Sequence, residues 1–445
     1  MKVAFYLDNS KHKGIRYLDP ALGNPGVGGT EYIIWSTSYY LNELYEDIEV
    51  ILLAPIVEDL YGNMNIVKCT DHCDAVRKAK KMGVDIFIFR DNVESIDIFN
   101  IINEEQLNSI MWSHNYQNLH VLNKASDCKY IKRNICVGKE QYDKLRDHRI
   151  FEKLDYIYNS IDLEIYKKFN SAGKNKKNII CYMAAIEPLK GFHNVAKIFS
   201  DIEKEIPDVE LHVIGSAKLY DTNKKLGIYN LAEENYEKTF IHYLTDDKGN
   251  IKKNVKFWGV LNGNKKLEVM SNSKVGIANV PGYEETFCLV ALEFESLGVP
   301  VIGGRGTGLL DTVNDGETGI LVKSNKDAIN KIIRLLKDNN ENVRMSNNGL
   351  KFIESKFNID SFCKEWRRVL YEVFNDENVK PKIKTNNYWH DLKWLREINR
   401  IINKYIPFKN KFSIIEYRHI IANKIKVLSR IGKKLKRSVR RSEFS

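Results

Sequence analysis

Short apolar runs punctuate the chain and predict strands at residues 2–7, 50–54, 84–89, 109–112 and 135–137. Between them lie longer segments whose apolar positions recur at helical spacing, predicting helices at 31–45, 75–82 and 139–146. A loop rich in glycine and proline, residues 19–30, separates the first strand from the first helix. Strands that alternate with helices predict a parallel sheet wound on both faces.

Residues 171–178 are polar and contain glycine, which predicts a linker. The alternation then restarts, with strands at 179–183, 210–214, 255–258, 275–278, 299–302 and 319–322 and helices at 194–205, 265–271, 289–297 and 326–339. Residues 220–253 are charged and irregular and read as an insertion, and residues 360–374 read as a further helix. The expected architecture is α/β, with two Rossmann-like doubly wound parallel-sheet domains facing a cleft, over residues 1–170 and 171–375. Residues 376–445 form a third region, a basic helical tail. Within it Tyr417, Ile421, Ile425, Leu428, Ile431, Leu435 and Val439 recur at steps of three and four among lysines and arginines, predicting a basic amphipathic helix.

Charge sharpens this division. Of 69 Lys/Arg and 58 Asp/Glu, 19 and 4 lie in residues 380–445, so the tail holds the whole basic excess and the body is slightly acidic. Of all residues, 43% are hydrophobic and 29% charged, a balance that excludes a disordered chain. No apolar stretch reaches the roughly 18 residues of a membrane span, and the first apolar run is too short for a secretory leader. A cytoplasmic protein, peripheral on the inner face of a membrane, is expected. The seven cysteines are odd in number and scattered, as in a reducing compartment. Cys69, His72 and Cys73 lack a second ligand pair, so no metal is expected there.

The strongest chemical signal is the stretch Glu285-Thr-Phe-Cys-Leu-Val-Ala-Leu-Glu293. Its two carboxylates are eight residues apart, one before the predicted helix and one two turns into it. A carboxylate accepts hydrogen bonds from vicinal hydroxyls, as on ribose or a sugar ring, and a helix N-terminus facing a cleft favours phosphate.

This stretch resembles the E-x7-E motif of the retaining GT-B glycosyltransferases of the family 4, group 1 type. Further matches follow the family order: Gly26-Val-Gly-Gly-Thr-Glu31, Trp112-Ser-His114, Asn159-Ser-Ile-Asp162, Glu187-Pro-Leu-Lys190-Gly191 and Asp315-Gly-Glu-Thr-Gly319. The resemblance covers about residues 1–375. It implies a GT-B fold and transfer of a sugar from a UDP- or GDP-linked donor to a glycan or lipid-linked acceptor, in surface polysaccharide or glycolipid synthesis, without a cofactor or metal. It places Glu293 on the nucleotide ribose, Glu285 near the donor sugar hydroxyls and Lys190 on the diphosphate. Gly28 and Gly29 approach the phosphates, Phe287 and Leu289 belong to the nucleotide site, and His114 lies near the donor sugar. Glu285, His114 and Lys190 are the implied catalytic set. A dinucleotide-binding reading of the glycine loop fails, because the full spacing and the distal acidic partner are absent.

Several positions depart from the family pattern. The arginine expected near Lys190 is missing from Ala184-Ala-Ile186, so either Arg305 or a residue elsewhere supplies the second cation, or phosphate binding is weaker. Thr286 and Cys288 replace glycines and are expected to narrow the donor pocket. Asp311 is a shorter acid than the family's glutamate. These departures keep open a non-catalytic binding or scaffold relative; a sugar-nucleotide epimerase is the other rival. The tail fits an anionic membrane surface through residues 411–441, docking onto the body, or nucleic acid, the last disfavoured because few aromatics interleave with its charges.

Overall fold

The computed structural model describes residues 1–91, 97–174, 176–218, 224–280, 285–405 and 412–422. Its first sheet contains β1 (Lys2–Tyr6), β2 (Glu49–Ala54), β3 (Asn65–Lys68), β4 (Ile86–Arg90), β5 (Ser109–Ser113), β6 (Ile131–Cys136) and β7 (Leu154–Tyr156), ordered β3-β2-β1-β4-β5-β6-β7. The second contains β8 (Ile179–Met183), β9 (Glu210–Ile214), β10 (Val255–Gly259), β11 (Val275–Ala278), β12 (Val301–Gly304) and β13 (Gly319–Val322), ordered β10-β9-β8-β11-β12-β13. The pairings within both sheets are parallel. Central strands such as β2 and β4 are buried on both faces, which is why they read as continuous apolar runs. β3 is an edge strand with no fully buried residue, so it carried no such signal. Among its described residues the 220–253 insertion contains the short helix Glu234–Phe240, followed by a 3-10 turn at Ile241–Tyr243.

Each sheet reverses its strand order once, beside β1 and beside β8, and a ligand crevice belongs at such a switch point. One hydrophobic cluster runs through both units, from Phe5 and Trp112 to Phe287 and Leu292. The helix Ile359–Phe374 returns to the first sheet. Its buried Phe362, Trp366, Val369, Leu370 and Val373 form one stripe, and Trp366 meets Phe5 at 6.0 Å and Trp112 at 4.6 Å between ring centres.

Past residue 376 the chain forms a strap across the first unit, ending in the helix Lys393–Tyr405. An acidic row on the body, Glu140, Asp143 and Asp147, is buried beneath it. Lys393 Nζ lies 2.6 Å from Glu140 and 3.5 Å from Asp143; Arg396 lies 3.6 Å from Asp147. The buried Arg146 donates to Asp143 at 2.8 Å, to Glu397 at 3.0 Å and to the Ile383 carbonyl. Residues 376–405 therefore dock on the body through paired charges rather than through an apolar stripe. Residues 414–422 are helical; residue 411 and most of the predicted tail helix lie outside the described residues.

Two predictions follow from buried charge. Lys393→Met leaves Glu140 without its paired cation, while Asp143 keeps Arg146 at 2.8 Å, and should lower the unfolding free energy by about 3–5 kcal/mol in urea titration; no change would mean that this ion pair contributes nothing to stability. The second concerns Glu295, two residues beyond Glu293 and on the opposite side of the helix Leu289–Ser296. It is buried against Gly349 and accepts from Thr318 at 2.6 Å, and burial pushes its carboxyl up to about 8. Because the folded value is raised, its contribution is most favourable below the unfolded carboxyl range and is lost as pH rises to about 8. Glu295→Gln should therefore flatten the fall of unfolding free energy between about pH 5 and 8, by up to about 1.4 kcal/mol per pH unit. Parallel profiles for the two proteins would refute this.

Candidate functional site

Two adjoining hollows occupy the cleft at the C-terminal ends of the strands. The smaller, about 180 Å³, is lined by Gly28, Gly29 and Tyr32 from the first unit and by Ala185, Lys190, Lys266, Leu289 and Glu293 from the second. The larger, about 550 Å³, is lined by Gly28, Gly29, Glu31, Arg90, Asn115, Tyr116, Lys190, Glu285 and Thr286, among others. Gly28, Gly29 and Lys190 border both. The two carboxylates of the E-x7-E stretch are thus sorted, Glu293 to the smaller hollow and Glu285 to the larger.

Local structure explains this sorting. Glu293 sits on the helix Leu289–Ser296, whose other face packs into the core. Its Oε1 accepts from Lys266 at 2.8 Å and from Tyr166 at 3.0 Å, leaving Oε2 without a hydrogen-bond partner among the described residues. Glu285 precedes that helix and is braced by the 307–308 turn: its N–H donates to Thr307 at 3.1 Å and its carbonyl accepts from Gly308 at 2.6 Å. Lys190 ends the turn Pro188–Lys190 and places Nζ 3.2 Å from Glu285 Oε2. Across the cleft, Gly29 begins the helix Gly29–Leu44, and a Cβ there would stand 3.0 Å from Leu289. Only glycine lets that loop close the smaller hollow without displacing Leu289.

A third ion pair, unforeseen from the sequence, faces the larger hollow. Arg90, at the end of β4, lies 2.5 Å from Glu31 in the first turn of the helix Gly29–Leu44. Arg305, the candidate second cation, instead pairs with Asp315 at 2.7 Å and borders neither hollow. The cations lining the cleft are Lys190, Lys266 and Arg90, each matched to a carboxylate. Arg90 and Lys266 left no mark in sequence because local spacing does not show which charged residue turns inward.

His114, implied to lie near the donor sugar, follows β5 directly and precedes Asn115 and Tyr116, which line the larger hollow. Its ring is buried against Trp112, 4.5 Å between centres, and borders neither hollow. Burial, reinforced by Arg90, holds its pKa well below the ordinary histidine value, so the ring is neutral. Its carbonyl accepts from Thr286 Oγ1 at 2.5 Å, a bond between the two units. Thr286 thus ties the two units together while it lines the larger hollow. The Phe287 side chain also turns from the cleft, packing on Tyr158 and Phe357 at 6.1 and 5.7 Å. Leu289 lines the smaller hollow as expected. Cys288 is buried, and burial and the Glu285 charge push its thiol up to about 12, which makes it a poor nucleophile. Residues 282–284 lie outside the described residues.

Asp311 joins the units more deeply. Its buried carboxylate accepts from the Glu140 N–H at 2.8 Å and from Tyr158 at 3.0 Å. Burial and the nearby Glu140 push it up to about 7. Among the described residues no group of three His, Cys, Asp or Glu is placed to hold a metal ion. No helix among them is long and apolar enough to cross a membrane.

Residues 165–352 match the family model described as Glycosyl transferases group 1. The capsular polysaccharide biosynthesis glycosyltransferase CapM of Staphylococcus aureus is 26% identical over 230 residues, 51% of this chain and 53% of that one. The N-acetyl-alpha-D-glucosaminyl L-malate synthase of Bacillus anthracis is 24% identical over 230 residues, 50% of this chain and 54% of that one. The chain thus spans about half the length of these curated relatives. Among solved structures, Anabaena HepE in complex with UDP and glucose aligns with a TM-score of 0.60 at 13% identity, over 84% of this chain and 100% of that one. A glycosyltransferase from Rickettsia africae aligns at 0.64 and 11% identity, over 84% and 99%. Residues 165–352 thus match the group 1 glycosyl transferases, within a two-sheet GT-B fold.

Proposed function

We propose that the chain is a glycosyltransferase that moves a sugar, with retention of configuration, from a nucleoside-diphosphate donor to a glycan or lipid-linked acceptor. One observation carries this reading. The two hollows meet at Lys190 and the Gly28–Gly29 backbone, with one carboxylate of the E-x7-E stretch in each. A nucleoside fits the smaller hollow with its ribose hydroxyls on Glu293, a diphosphate the junction, and a sugar the larger hollow beside Glu285. The CapM relative's role in capsular polysaccharide synthesis and the UDP and glucose held by HepE support this class of donor and product. UDP and GDP are both carried forward as candidate bases.

In the proposed reaction the bond from the sugar's anomeric carbon to the diphosphate breaks while the acceptor oxygen bonds to that carbon on the same face. The acceptor hydroxyl's proton passes to the departing diphosphate oxygen, so no protein base is assigned. Lys190 and the glycine-loop backbone N–H groups stabilise the charge that develops on the leaving group. Lys190 is held in place by Glu285, so a donor phosphate meets a cation already positioned at the junction. Glu285 lies where the sugar hydroxyls would be read. Neutral His114 acts through its backbone, holding Thr286 and the loop that carries Glu285.

The test is a thermal-shift panel of nucleotides and nucleotide sugars, with turnover measured on the donor that binds. One nucleoside diphosphate should stabilise the protein. Glu293→Ala should weaken its binding by about 10- to 100-fold, the loss of one or two hydrogen bonds to a charged group. Glu285→Ala should spare nucleotide binding and lower turnover. Lys190→Ala should lower both, and chelator should leave turnover intact. Absence of binding by every nucleoside diphosphate, or equal small effects of both glutamate substitutions, would overturn the assignment.

A further inference from the structure

The strap helix is amphipathic in an inverted sense. At 3.6 residues per turn, Lys393, Arg396, Glu397, Asn399 and Arg400 share one half, and Trp394, Leu395, Ile398, Ile401, Ile402 and Tyr405 share the other. The acidic row on the body takes the polar half: Lys393 and Arg396 are buried, and Asn399 donates to Asp147 at 2.8 Å. The apolar half faces outward, with Ile398 42%, Ile401 46%, Ile402 44% and Tyr405 74% exposed. Trp389, 80% exposed, flanks the helix with its ring centre 6.3 Å from that of Trp394, and Tyr417 and Ile421 of the next helical segment are also exposed.

We propose that this outward face is a docking surface for an anionic lipid bilayer. Charge complementarity selects this occupant. Residues 404–445 hold 13 Lys/Arg against 2 Asp/Glu. The acidic row of the body is already occupied by the buried strap residues Lys393 and Arg396. Lys404 of the strap helix and Arg418 of the next helical segment are exposed, the latter 3.2 Å from Asp391. Isoleucines that enter the acyl boundary, Trp and Tyr rings at headgroup level and lysines and arginines on lipid phosphates are the parts of an interfacial helix. The strap also reaches the cleft. Asp391 lies 4.0 Å from Lys144, whose Nζ stands 3.8 Å above the Tyr116 ring, and Tyr116 lines the larger hollow.

The test is flotation of the full chain with vesicles of phosphatidylcholine alone or of phosphatidylcholine with phosphatidylglycerol, alongside light scattering for oligomeric state. This readout requires no activity, so it succeeds or fails independently of the glycosyltransferase assignment. The protein should float with the anionic vesicles and bind them about tenfold or more better than the neutral ones. The double variant Ile398→Ser and Ile402→Ser removes only exposed side chains and should keep the parent's melting temperature. It should lose about tenfold or more of the anionic-vesicle affinity. Absence of binding to anionic vesicles overturns the proposal. So does undiminished binding by the double variant, which would place the contact in residues 423–445 alone. A dimeric parent made monomeric by the double variant would make a second copy the occupant and overturn it as well.

Discussion

The buried carboxylate of Asp311 sets the spacing of the two units. It reaches out of the second unit to the Glu140 N–H and the Tyr158 hydroxyl of the first. Gly138 makes that approach possible, since a Cβ there would lie 2.8 Å from Asp311 Oδ2 and 2.9 Å from the Thr286 carbonyl. A longer acid would have to bend within the same gap, which gives the shortened residue a packing reason. The joint also extends outward. The residue whose N–H holds Asp311 is the residue whose side chain holds Lys393, so cleft, joint and strap share the short segment that begins at Gly138.

Electrostatics within the cleft follow one pattern. Lys190, Lys266 and Arg90 each face a carboxylate, so among the described residues no lining cation depends on water alone for its partner. Such pairing restrains long side chains and lowers the reorganisation needed when an anion arrives. It also separates the two glutamates by role, because Glu293 keeps one oxygen unbonded while Glu285 is tied to the junction lysine. Arg90 lines the larger hollow from the first unit, whereas the family arginine would have stood beside Lys190.

The strap shows how an amphipathic helix can be held by its polar side. Buried ion pairs stabilise little when compared with well-packed apolar residues, but they specify one seating and one orientation. Here the acidic row fixes which half of the helix faces the body, and the apolar half is turned outward as a consequence. An apolar seam would have buried the opposite face.

The two doubly wound sheets were legible in the sequence because a parallel strand buried on both faces must be a continuous apolar run, and the helices between must carry one apolar stripe. β3 escaped notice for the same reason, being short, at an edge and half polar. Glu285, Glu293, Lys190 and the glycine loop were also legible, since their spacing from helix starts and turns is local. What only the tertiary structure decided is pairing across long separations: Arg90 with Glu31, Thr286 with the His114 carbonyl, Asp311 with the Glu140 N–H, and Lys393 with Glu140. The inward turn of Phe287 and the burial of the His114 ring belong to the same class. Periodicity names the two faces of a helix but not which is buried, because that depends on the charge and shape of a surface distant in the chain.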